Sequence, residues 1–241
     1  MYKLRLICVL FLVFLLYPST PPAYAADKLE TLVRVAFDWN LPPYQFLDGG
    51  EPRGVHIDLM NSIAEENNYR VEYYPFSSQS ECLAAFEQGE VDIVLGVTPR
   101  LSKEYQVQSS SAFSEATACA LAEKDRAGVI RSTFGSKIYT LAYQFGTMEY
   151  EYMTHILAVR GVLASNQLDA LNKLINGEAD IMIGSKDTIQ YQLNELGLSD
   201  QYTIISNFAT PITYDAIVRS YDIRQIINSS LQRMQYTGEY E

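Results

Sequence analysis

Glu81-Cys-Leu-Ala-Ala-Phe-Glu-Gln-Gly-Glu-Val-Asp-Ile-Val-Leu-Gly96 aligns without a gap on Asp169-Ala-Leu-Asn-Lys-Leu-Ile-Asn-Gly-Glu-Ala-Asp-Ile-Met-Ile-Gly184, with Leu, Gly, Glu, Asp, Ile and the closing Gly in common. Each copy reads as a short amphipathic helix, a glycine suited to a left-handed stop, and an apolar strand running to a second glycine. A helix, a stop and a strand written twice predict two similar α/β units.

The flanking residues extend both units. Leu32 to Phe37 reads as a strand ending in Asp38-Trp39-Asn40, and Ile138 to Ala142 as a strand ending in Tyr143-Gln144-Phe145-Gly146 before a helical stretch from Thr147. A helix near Ile57 to Glu66, capped by local polar residues, and a strand near Arg70 to Pro75 complete the first unit. Asn166 is the expected N-cap of the second repeat helix.

Alternating strands and helices predict an α/β chain of two lobes, each a mainly parallel sheet flanked by helices. Such sheets bind ligands beyond the carboxyl ends of their strands, here the loops after Phe37, Leu95, Ala142 and Ile183. Gly96 and Gly184 lie at two of these ends, either as simple turns or to let a ligand approach the backbone. Composition shifts near 118–124 and 204–211 suggest two crossings. Lobe 1 would then comprise residues 26–121 and 208–241 and lobe 2 residues 122–207, with a two-crossover hinge between them.

Residues 1–25 are expected to be a secretory signal: Lys3 and Arg5, an apolar run from Leu6 to Tyr17, and a small-residue site at Ala23-Tyr24-Ala25. The run is too short for the ~20 residues of a membrane span. Export places the chain in the periplasm or outside the cell. The 241 residues carry a net charge of −11, which argues against nucleic acid as a partner. Cys82 and Cys119 remain after export, as buried thiols or a single bridge, and neither is spaced as a metal motif. No metal or cofactor is expected. His56, at a helix start, and His155, in a helical stretch, are read as partly exposed surface residues.

Taken in order, several fragments resemble the bacterial extracellular solute-binding proteins of family 3, the periplasmic amino-acid-binding type. They are Val33-Arg-Val-Ala-Phe-Asp38 with Pro42-Pro43-Tyr44-Gln-Phe46, Arg53-Gly54-Val-His-Ile-Asp58, Gly89-Glu-Val-Asp92-Ile-Val-Leu-Gly96-Val97-Thr98-Pro99, Gly146-Thr147, Gly177-Glu-Ala-Asp180 and Met234-Gln-Tyr-Thr-Gly238. The resemblance implies the type II periplasmic-binding-protein fold and capture of a small polar, amino-acid-like solute by hinge closure, without chemistry. It implies a cleft lined by Asp38, Tyr44, Gly96, Val97, Thr98, Gly146 and Thr147, with Trp39, Gly184 and Ser185 nearby. Tyr44 would stack on the ligand or pack in the core, and the backbone near Thr147 would hold an anionic group or simply begin a helix.

Two positions depart from the family pattern. Where an arginine usually meets the ligand carboxylate stands Lys103, with Arg100 three residues earlier, and a lysine lacks the bidentate fork. Where an acid usually grips the α-ammonium stands Ser185, with Asp187 nearby. The segment from Asp180 onward also resembles sensor versions fused to histidine kinases or diguanylate cyclases. The expected partner is therefore either a membrane permease of ABC type or the chain's own C-terminal signalling module. A dehydratase-like enzyme on the same fold is the remaining alternative, but no nucleophile elbow, phosphate loop or zinc motif occurs.

Overall fold

The computed structural model describes residues 31–134, 138–144 and 160–240. The expected leader, Gly146, Thr147 and His155 lie outside the described residues. The first half opens with β1 (Thr31–Asp38), the short strands β2 (Asn40–Leu41), β3 (Gln45–Asp48) and β4 (Glu51–Arg53), then α1 (Val55–Glu66) and β5 (Tyr69–Phe76). It continues through α2 (Gln79–Glu87), β6 (Ile93–Val97), α3 (Pro99–Glu104) and β7 (Gln108–Ser109) to the long β8 (Ser114–Glu123). Next come α4 (Lys124–Thr133), β9 (Thr140–Gln144), β10 (Arg160–Ala164), α5 (Gln167–Ile175), β11 (Ile181–Ser185) and α6 (Lys186–Glu195). A 17-residue strand, β12 (Tyr202–Val218), returns to α7 (Tyr221–Thr237).

The repeat is structural as well as sequential. β1 lies parallel to β6 with Val35 opposite Ile93, and β9 lies parallel to β11 with Leu141 opposite Ile181. The repeated aspartates do the same work: the Asp92 carboxylate accepts from the Arg34 backbone N–H at 3.0 Å, and that of Asp180 from the Thr140 N–H at 3.0 Å. Gly89 and Gly177 stop their helices at φ +79° and +74°, the conformation that favours glycine.

Both repeat helices begin alike. Ser78 accepts from the Glu81 N–H while Glu81 accepts from the Ser77 N–H, and Asn166 accepts from the Asp169 N–H while Asp169 accepts from the Ser165 N–H. These are reciprocal caps that satisfy helix-end donors. The cap expected on α1 from local polar side chains is not found. Gly54 enters that helix at φ +112° with no side-chain cap, because the chain passes so close to Tyr44 that a Cβ there would lie 2.5 Å from the Tyr44 carbonyl oxygen.

The sheets of the two halves are joined. The strand order is β10-β9-β11-β8-β12-β6-β1-β5, with β7 beside β12, and the antiparallel pair β8 and β12 runs through the middle. The two runs expected around Asn207 and Pro211 are one strand whose register shifts between those residues. Proline has no N–H to give to the ladder, so pairing slips there.

Each half has its own core, and Phe208 packs against both the second half's core and the cluster of Leu41, Tyr44 and Tyr214. Val35, Phe37, Ile63 and Leu95 pack in one half, and Leu141, Tyr143, Leu171 and Met182 in the other. Cys82 and Cys119 are buried in different clusters, as thiols in apolar surroundings commonly are.

Candidate ligand-binding site

The strand ends of both halves converge on one cavity. Among the described residues its wall contains Asp38, Gln79, Gly96 and Thr98 from one half, Gln144, Gln167, Ile183 and Gly184 from the other, and Leu41, Ile212 and Tyr214. About 20 Å³ lies open to water centres, room for about one water molecule.

The lining follows the repeat. Asp38 and Gln144 each end the opening strand of their half, two residues past the paired Ala36 and Ala142. Gln79 and Gln167 each begin a repeat helix, and Gly96 and Gly184 lie near the end of a repeat strand. The sequence reading missed the three glutamines. The signal for two of them was present, since Ser77-Ser-Gln79 and Ser165-Asn-Gln167 extend the repeat alignment upstream.

Asp38 is buried, accepting from the Asn40 N–H at 2.9 Å. Burial pushes its carboxyl up to about 7, with bonds from the Asn40 and Gln79 backbones pulling the other way. Gln79 Nε2 donates to the Gly96 carbonyl, and Gln167 Oε1 accepts from the Ser185 N–H at 2.9 Å.

Both glycines line the cavity, and a glutamine lies close against each. A Cβ on Gly184 would lie 2.8 Å from Gln167 Oε1, and one on Gly96 would lie 2.8 Å from Gln45 Nε2. The space that glycine opens is thus filled by the protein's own glutamines.

Of the residues proposed from sequence, Asp38, Gly96, Thr98 and Gly184 reach the cavity wall. Trp39, 41% exposed, stands off it. Val97 is buried in its strand opposite Asp215, and Ser185 is buried with its N–H committed to Gln167. Arg100 is half-buried and Lys103 exposed on α3, a helix that starts just past Thr98, and neither is among the described wall residues.

Tyr44 is not a wall residue either. It is buried, its ring stacks on His56 at 5.4 Å, and its hydroxyl donates to Asp187 Oδ2 at 2.8 Å. The halves also meet where Asn166 Nδ2 donates to the Ser77 carbonyl at 2.8 Å and where the Phe46 and Tyr191 rings lie 5.6 Å apart.

His56, expected at the surface, is fully buried because its ring has partners on both sides. Nδ1 lies 3.0 Å from Gln45 Oε1 and Nε2 lies 2.7 Å from Ser114 Oγ. Gln45 Nε2 donates to the Leu95 carbonyl, which fixes Oε1 as the acceptor. The proton therefore sits on Nδ1, and Nε2 accepts from Ser114. Among the described residues no three His, Cys, Asp or Glu side chains gather as metal ligands.

Residues 33–241 match the family model for bacterial extracellular solute-binding proteins, family 3. The chain belongs to this family. A probable histidine-binding protein of Neisseria gonorrhoeae is 25% identical over 218 residues, covering 86% of this chain and 80% of the relative. Among solved structures, a histidine kinase sensor domain with similarity to periplasmic binding proteins superposes with a TM-score of 0.75 at 23% identity, covering 88% of this chain and 93% of that one. An ABC uptake transporter substrate-binding protein of Streptococcus pneumoniae with bound histidine gives 0.72 at 18% identity, covering 86% and 88%. Family members of this kind share the type II periplasmic-binding-protein fold, and this chain has it.

Proposed function

We propose that the chain captures a small polar, amino-acid-like solute outside the cytoplasm and releases it unchanged, as the substrate-binding component of an ABC-type amino-acid transporter. The observation that carries this reading is the cavity itself, built from equivalent residues of both halves at the carboxyl ends of their strands. Space for about one water cannot admit an amino acid, so capture requires the halves to part and close again. We assign residues 26–121 and 208–241 to one lobe and 122–207 to the other, with the crossings near 118–124 and 204–211. The shift in β12 between Asn207 and Pro211 supports that placement.

Thermal denaturation of the purified protein against a panel of amino acids, amides and amines tests the reading. A true ligand raises the melting temperature with concentration, and it contracts the particle in solution scattering. Turnover of the bound compound would instead make the protein an enzyme. A second reading, the ligand-binding domain of a membrane receptor, is favoured by the likeness to a kinase sensor domain. Ligand-dependent stimulation of a partner permease's ATPase supports transport, and ligand-dependent kinase or cyclase output supports the receptor.

A further inference from the structure

The two glutamines at equivalent places in the wall are held in opposite senses. A carbonyl oxygen can only accept, so the bond to Gly96 turns the nitrogen of Gln79 inward to the backbone and leaves its oxygen arm for a ligand. A backbone N–H can only donate, so the bond from Ser185 holds the oxygen of Gln167 and leaves its nitrogen arm, whose contact with the Tyr214 hydroxyl is long at 3.5 Å. The wall of the first half therefore offers acceptors, the Asp38 carboxylate and Gln79 Oε1. The facing wall offers the Gln167 donor.

The cation that a free carboxylate would need is missing from the described wall, which contains neither lysine nor arginine. A carboxylate enclosed against the described wall would lose its water without gaining an opposite charge there. A neutral carbonyl or hydroxyl needs no more than the amide N–H that Gln167 supplies.

We propose that the site selects a small organic cation with a neutral hydrogen-bond acceptor at its far end over the matching free α-amino acid, the cation facing Asp38 and Gln79 and the acceptor facing Gln167. This inference rests on the reading of the chain as a solute binder and narrows its ligand class. The surplus of acidic residues over the whole chain favours approach of such a cation.

Calorimetry on the purified chain with matched pairs, L-histidine against L-histidinamide and L-arginine against L-argininamide, tests it. The amides should bind about tenfold or more tighter than the free acids. Gln167→Arg, checked for folding by its melting curve, should shift preference back toward the acid. Equal or tighter binding of the free acids by the wild type overturns the inference and leaves the solute-binding reading in place. If no amino acid, amide or amine of the wider panel shifts the melting temperature, both fall.

Discussion

The Tyr44 hydroxyl donates to the Asp187 carboxylate at 2.8 Å, joining the loop after β2 to the first turn of α6 in the opposite half. This bond holds the halves together without touching the cavity. Tyr44→Phe keeps the ring against His56 and deletes only the bond, worth about 1–3 kcal/mol when one partner is charged. Affinity for an identified ligand should fall about 5- to 100-fold through an easier opening, with the melting temperature of the free protein little changed. An unaltered dissociation constant would show that the bond plays no part in closure.

Asp38 gives binding and stability a pH dependence. Its carboxyl is pushed up by burial to about 7, from 3.8, so the folded chain holds that proton more tightly than the unfolded chain. The stability it contributes is present below the unfolded pKa and falls as pH rises from about 4 to about 7, by up to ~1.4 kcal/mol per unit. Asp38→Asn lacks this slope, so the variant should gain on the wild type between about pH 4 and about pH 7 in urea titrations. A cationic ligand needs the ionised form. Its affinity for the wild type should rise over the same interval and level off above about pH 7, and in the variant it should be weak and flat.

His56 acts with the opposite sign. Burial lowers its pKa from 6.5 to about 3, so its neutral ring favours folding above the unfolded pKa and that contribution is lost as pH falls toward 3. His56→Gln breaks the relay between Gln45 and Ser114 and should cost about 1–3 kcal/mol near neutral pH. The gap between variant and wild type should close on acidification below about pH 6.5, measured by denaturant unfolding. A gap independent of pH would mean that the ring is not held neutral.

Gly54→Ala should be among the most damaging single-methyl additions. The position combines φ +112° with a Cβ site 2.5 Å from the Tyr44 backbone oxygen, and backbone cannot move aside as a flexible side chain can. A loss of about 3 kcal/mol or more in urea unfolding is expected. Gly89→Ala meets nothing within 4 Å despite φ +79°, and should cost only about 1 kcal/mol.

What could be read from sequence was what repeats locally. Helix, glycine stop and apolar strand are written in neighbouring residues, and Asn166 declares its cap by its position. What could not be read depends on partners far along the chain. His56 is buried by Gln45 and by Ser114, the latter 58 residues away, and no local pattern announces that pairing. For Tyr44 the sequence left stacking on a ligand and packing in the core both open, and the carboxylate that holds its hydroxyl lies on another element, 143 residues along the chain. The strands β2 to β4 are two to four residues long, too short for an alternating pattern to show.

β8 and β12 stitch both halves into a single ladder, so the jaws of this protein are not hung on loose cords. Opening of the kind proposed would flex one continuous ribbon, with the irregular rungs between Asn207 and Pro211 as its notch.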